Sequence, residues 1–496
     1  MRKPLIAAVL TLATAAAAQD LASFEKKVTL AKLDNGLTVI IVERHDAPIF
    51  SYQMVVNAGG AQDLPGTTGV AHMFEHMAFK GTDTIGTSDA AAEKSALDRV
   101  EQTYAAYDAE RRKPAGRNDA KAAALEREWK DAITAAGKYV VPNEFSKIIN
   151  RAGAVGVNAT TGEDFTAYFY SMPSNRVALW ACLESQRFLH PVMREFYKER
   201  DVVFEERRLR TESDPEGRVL EQFVTAAYMA HPYGTPEIGW PSDLSTISAE
   251  DAMRFYRKYY VPSNMVVAVV GDVTPSELLP LLQSTFGRLP KAPPPEPLRT
   301  VEPPQRSERT VVMRDAAQPF YFEGYHRPAI TEKDDAVYEV IGELLGRGRT
   351  ARLYKSMVRD TKVAVVAGVA AAWPGRKYPT LFAIDALPTP GHSAAEMAAP
   401  IRKELERLGN EDVTAEELAS VKARAKSRLV HLLAVNSSLA YQLAAYQTLF
   451  DDWRELFRYV DRLAAVTPAD IRRVAKATFV ANNRTVARLE SKGAPE

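Results

Sequence analysis

The sequence predicts an α+β fold of two homologous domains, each a mostly antiparallel sheet with packed helices. Three observations predict it. Apolar-rich strand patterns stand near the start, in "KVTLAKLDNGLTVIIVE" and "IFSYQMVV". Longer stretches with apolar residues three and four apart read as amphipathic helices. Finally, "EDAMRFYRKYYVPSNMVVAVV" (250–270) aligns without gaps on "ADIRRVAKATFVANNRTVARL" (469–489), at a constant offset of 219 residues (470 − 251). Asp251/Asp470, Arg254/Arg473, Val261/Val480, Asn264/Asn483, Val267/Val486 and Ala268/Ala487 coincide. Both segments run from amphipathic helix through a short turn into an apolar strand, which predicts an internal duplication.

In chain order, residues 1–18 combine Arg2 and Lys3 with an apolar run from Pro4 to Ala15 and an Ala-Ala-Ala end. This is the pattern of a secretory signal peptide cut after Ala18. The only cysteine, Cys182, cannot form an internal disulfide; an exported chain of this kind suits a bacterial periplasm. Residues 19–289 form the expected N-terminal domain. It opens on strands across residues 27–57, with Asn35-Gly36 at the tip of a hairpin, the pair a type I′ turn prefers. An insertion of about 97–149 is charged and Ala-rich. Its apolar residues Leu97, Val100, Tyr104 and Tyr107, then Leu125, Trp129 and Ile133, flank "RRKPAGRND" and predict a helical hairpin. Residues 290–306, rich in proline, read as a stiff linker. Residues 307–496 form the expected second domain. No segment after the signal is long and apolar enough to span a bilayer. Lys+Arg and Asp+Glu are both 63, so no basic field exists to gather nucleic acid.

The chemistry concentrates in "GVAHMFEHMAFKGT", residues 69–82. On a helix, His72, Glu75 and His76 share a face. Two imidazoles one turn apart can ligate one Zn²⁺, and the carboxylate between them can act on the attacking water. This HxxEH order is the inverse of HExxH. A catalytic zinc site needs a third protein ligand. In "EFYKERDVVFEERRLRTE" (195–212), Glu199, Val202, Val203 and Glu206 stand at i, i+3, i+4 and i+7, so two carboxylates share a face with two valines expected to point inward. Glu205 falls on the charged side with Arg207 and Arg208. Glu206 is therefore the expected third ligand, with Glu199 as a neighbour that orients ligands or tunes the water.

These motifs, with "NGLTVIIVE", "GAVGVNATTGEDFTAYFYSMP", "HPYGTPEIG" and "NMVVAVVGDV" in the same order, resemble the pitrilysin or insulinase family of metallopeptidases, in layout the mitochondrial-processing-peptidase type and its bacterial relatives. The resemblance implies a zinc endopeptidase acting on peptides, with one Zn²⁺ per chain held by His72, His76 and Glu206. Glu75 is then the general base and Glu199 the accessory carboxylate. It further implies that Asn158 helps hold the substrate backbone on an edge strand, where peptides add by β-augmentation. Two departures stand out. His76 and Glu206 are 130 positions apart (206 − 76), against about 75 in processing-peptidase-type members; the insertion absorbs the excess. In the second half, Arg359 matches a family arginine that binds substrate, but Val365 or Val366 stands where a tyrosine would follow. Four homologous domains enclose the family's chamber, and this chain supplies two. A second related subunit is thus implied, a heterodimer in preference to a homodimer. The competing expectation is a non-catalytic structural subunit of the same fold, like the core subunits of respiratory complexes; such chains lose the metal-ligating residues that are present here.

Overall fold

The computed structural model describes residues 24–492, so the expected signal peptide lies outside the described residues. The first sheet has six strands: β1 (Val28–Lys32), β2 (Thr38–Glu43), β3 (Ile49–Val56), β4 (Val155–Thr161), β5 (Thr166–Pro173) and β6 (Met265–Gly271), in the order β1-β2-β6-β3-β5-β4. The second has five: β7 (Arg309–Asp315), β8 (Phe320–Arg327), β9 (Ala364–Trp373), β10 (Thr380–Pro388) and β11 (Arg484–Ser491), in the order β7-β11-β8-β10-β9. All pairs are antiparallel except β2 with β6 and β7 with β11. Dropping β1 makes the two orders identical, including the one parallel pair. The duplication seen in sequence is thus a duplication of topology.

The matched residues do the same work in both copies. Ser248 and Asp251 close a reciprocal cap on helix Ala249–Tyr259, and Thr467 and Asp470 close the same cap on helix Pro468–Thr478. The Asn264 amide donates to the Asn57 and Tyr259 carbonyls, and the Asn483 amide to those of His326 and Thr478. Each asparagine ties the helix end to the neighbouring strand and so sets the register of the turn.

The two halves also exchange a helix. Ile40, Val42, Val55, Val266 and Val270 of the first sheet pack against Leu439, Leu443, Trp453 and Phe457 from the C-terminal half. Conversely, Val219, Phe223 and Ala227 of helix Pro215–Ala227 pack on Phe320, Phe322 and Leu381 of the second sheet. This explains why every residue of β6 is buried: a strand covered on both faces reads as a continuous apolar run. Leu443→Ala is therefore expected to cost about 2–5 kcal/mol and to speed hydrogen exchange in β3 and β6, although Leu443 lies in the other half. Faster exchange confined to the second sheet would contradict this packing.

The expected helical hairpin is helices Ala90–Arg111 and Asp119–Ala136, followed by Glu144–Arg151. It begins some residues before Leu97 because Asp89 caps the first helix through the Ala91 and Ala92 amides. The Asn35-Gly36 turn is not type I′. Only Gly36 has positive φ (+100°), and its N–H donates to the Leu33 carbonyl at 2.8 Å. The Asn35 amide instead holds the Phe286 and Leu289 carbonyls, a use that local sequence does not show. Residues 290–306 have no regular secondary structure. They are nonetheless tied down, since the Glu302 carboxylate accepts from the amides of Met229, Ala230 and His231. Among the described residues, no helix is long and apolar enough to cross a membrane.

Candidate metal centre

Helix Val70–Met77 starts at Gly69, whose φ is +88° and where a Cβ would come within 2.5 Å of the Ile238 carbonyl oxygen. Only glycine fits. The Asp63 carboxyl accepts the Gly69 and Ala71 amides at 2.6 and 3.1 Å, satisfying N–H groups that the first turn of a helix leaves without an intrahelical partner. Met73, Phe74 and Met77 join the main core. His72, Glu75 and His76 fall on the other face, toward helix Phe196–Arg207. On that helix Val203 is fully buried, but Val202 is 51% exposed, contrary to the sequence expectation that both point inward. The two flanks of the Glu199–Glu206 face therefore differ: Val203 at i+4 meets the core and Val202 at i+3 meets solvent.

The three expected donors converge. Glu206 Oε2 lies 3.5 Å from His76 Nε2 and 3.8 Å from His72 Nε2, and the donor atoms all lie within 4.8 Å of one another. Bonds of about 2.0–2.2 Å to one central ion at the tetrahedral angle set two such atoms about 3.3–3.6 Å apart, close to the two distances that Glu206 makes. His76 Nδ1 sits 3.0 Å from Glu199 Oε1, and Glu199 Oε2 is 2.5 Å from Lys80 Nζ. Glu206 Oε1 pairs with Arg210 at 2.7 Å, where the helix widens into a π turn over Arg208–Glu212. Thr161 at the end of β4 donates to Glu75 Oε2 at 2.5 Å.

The electrostatics suit a bound cation. Burial, then the neighbouring His76 and Arg210 charges, pull the His72 pKa down to about 3, so His72 is neutral across ordinary pH. Burial opposes the charge on His76, but Glu199, Glu206 and Glu75 outweigh it and the pKa is raised. Burial likewise opposes the Glu199 charge, yet the hydrogen bonds from His76 and Lys80 hold its pKa at about 2. Glu75 is raised, by burial above all, against the Thr161 bond. Two imidazoles and a carboxylate, with further carboxylates around them, form a donor set that fits Zn²⁺.

Asn158 is exposed on β4, the edge of the first sheet, beside a bulge between Val155 and Asn158. Arg359 lies on the exposed turn before β9, and its guanidinium pairs with Asp360 rather than with the metal cluster. Val365 and Val366 are exposed on β9. Sequence reasoning missed Thr161, Lys80 and Arg210. It also missed Glu237, whose pKa burial and then the Glu75 charge push to about 7. "HPYGTPEIG" was legible as a motif, but nothing local marks its glutamate as a neighbour of Glu75.

Residues 38–107 match the family model described as insulinase (peptidase family M16), and residues 246–425 match the one described as the peptidase M16 inactive domain. The zinc protease PqqE of Helicobacter pylori is 27% identical over 477 residues, spanning 94% of each chain. A crystal structure of a protease from Helicobacter pylori superimposes with a TM-score of 0.78 at 26% identity, covering 94% of this chain and 99% of that one. The periplasmic protease PqqL of Escherichia coli shares the fold, with a TM-score of 0.67 and 18% identity; the match covers 93% of this chain and 47% of PqqL.

Proposed function

We propose, from the premise that the chain belongs to the insulinase family of peptidases, family M16, that it is an exported zinc-dependent endopeptidase hydrolysing peptides or unfolded polypeptides. The observation that carries this reading is the convergence of His72 Nε2, His76 Nε2 and Glu206 Oε2 on one point beside Glu75.

Bound by these three residues, Zn²⁺ would polarise the scissile carbonyl and lower the pKa of its water. Glu75 takes the proton of the attacking water and later passes it to the leaving amine. Its raised pKa makes it a stronger base than an exposed carboxylate, and Thr161 fixes which oxygen is free. Glu199 accepts from His76 Nδ1, which selects the tautomer whose Nε2 faces the donors. The outer edge of β4 can receive an extended peptide as an added strand, with Asn158 alongside its backbone.

A second, related subunit closes the chamber. Support comes from the chain's matching 47% of PqqL, from Arg359 turned to Asp360, and from the valines where the family's tyrosine would stand. A metal-free partner bringing that grip fits better than a second copy. Export rests on the signal pattern of residues 1–18.

The test is metal analysis of purified protein together with cleavage of an unfolded peptide before chelation, after it, and after zinc is restored. Stoichiometric zinc, with cleavage lost and regained, is expected. Zinc-free protein, or cleavage indifferent to chelation, would sink the reading.

A further inference from the structure

We propose that the helical hairpin leading into the insertion serves the metal centre: the buried Glu93–Arg194 pair, with Glu93 in the first turn of helix Ala90–Arg111 and acting through Lys80 and Glu199, fixes where His76 stands. This rests on the zinc reading above and gives the insertion a task.

Arg194 is 1% exposed and Glu93 2%. Every N–H of the guanidinium is used. Nε and Nη2 donate to the two Glu93 oxygens at 2.5 and 2.6 Å. Nη2 also donates to the Thr82 carbonyl at 2.9 Å, and Nη1 to those of Lys80 and Ile85 at 2.5 and 3.0 Å. The loop leaving the metal helix thus wraps around one planar cation, a geometry that Arg alone supplies. The wrapping explains two glycines. Gly81 and Gly86 have φ of +93° and +94°, and a Cβ on Gly86 would stand 2.6 Å from Arg194 Nη1. The other end of the insertion holds the same loop, since Glu144 accepts the Gly86 amide at 2.5 Å.

Lys80 carries the constraint inward. Its carbonyl is held by Arg194, while its ammonium reaches Glu199, which holds His76 Nδ1. Arg194 also immediately precedes Glu195, a non-glycine residue at φ +57° that starts helix Phe196–Arg207 with Glu199 and Glu206. One guanidinium therefore positions the exit of the first donor helix and the entry of the second. A packing role alone would not require that both ends meet at the same cation. The insertion touches helix Phe196–Arg207 elsewhere too, where Tyr197 donates to Glu101 and Arg200 lies over Trp129. Those contacts lead away from the donors, which makes Glu101 a control.

Zinc affinity measured by chelator competition tests the proposal. Glu93→Gln and Lys80→Met are each expected to raise the zinc Kd by about 10–100-fold, with circular dichroism unchanged. The double variant should be no weaker than the worse single, because both act along one chain of contacts. Glu101→Gln should lower Tm and leave the zinc Kd alone. A Glu93→Gln protein with wild-type zinc affinity, or a double variant that loses the product of the two single effects, would overturn the positioning role. The readouts separate the two readings: wild type that binds zinc without cleaving peptide refutes only the peptidase, and wild type that binds no zinc refutes both.

Discussion

Glu75→Gln is expected to keep zinc and to slow peptide cleavage by about 10²–10⁴-fold, the usual worth of a positioned general base. Glutamine preserves the size of the side chain and an oxygen to accept from Thr161, whose hydroxyl sits 2.5 Å from Glu75 now. It removes only the proton acceptor. The donor atoms of His72, His76 and Glu206 are untouched, so metal content should stay at the wild-type level while kcat falls and KM changes little. Steady-state kinetics on metal-analysed protein decides it. Cleavage within tenfold of wild type would assign the proton transfer to another group, Glu237 being the first to test because its charge couples to Glu75.

His76→Ala should weaken zinc binding by more than the 10–100-fold typical of changes outside the ligand shell, and cleavage should go with it. One of three donors disappears, and the Glu199 carboxylate keeps only Lys80. The same imidazole sets the pH dependence of zinc binding. A proton on His76 competes with the metal, and its pKa lies above 6.5 in the metal-free protein; affinity therefore falls as pH drops through neutrality. His72, at about 3, is already deprotonated there and adds no competition. As pH falls from about 6 to about 4.5, log Kd should climb by about one per pH unit. A slope of two would show that both imidazoles titrate together.

Much of this arrangement was legible in local sequence, and for a common reason. HxxEH and the Glu199/Glu206 spacing lie within single helices, where 3.6 residues per turn dictates which side chains share a face. The duplicated helix-turn-strand was legible because its caps, and the Asn264 and Asn483 bonds back to the helix ends, are short-range. Less legible was anything that depends on what packs alongside. Val202 and Val203 look alike in sequence, yet one meets solvent and the other the core. Asn35 spends its side chain on a segment some 250 residues away, so the turn it sits in takes another form. Arg359 carries a family motif but is paired with its own neighbour.

By itself, then, the sequence determined the α+β class, the repeat and the residues able to offer donors on each helix, because these follow from periodicity along a few turns of chain. Only the tertiary structure decided that the halves cover each other's sheets, that Lys80, Thr161 and Glu237 stand beside the donors, and that Glu93 at the start of the helical hairpin reaches, through Arg194, the loop behind His76. Those contacts join segments far apart in the chain, and burial and charge pairing select them only once the sheets have formed and the helices have docked.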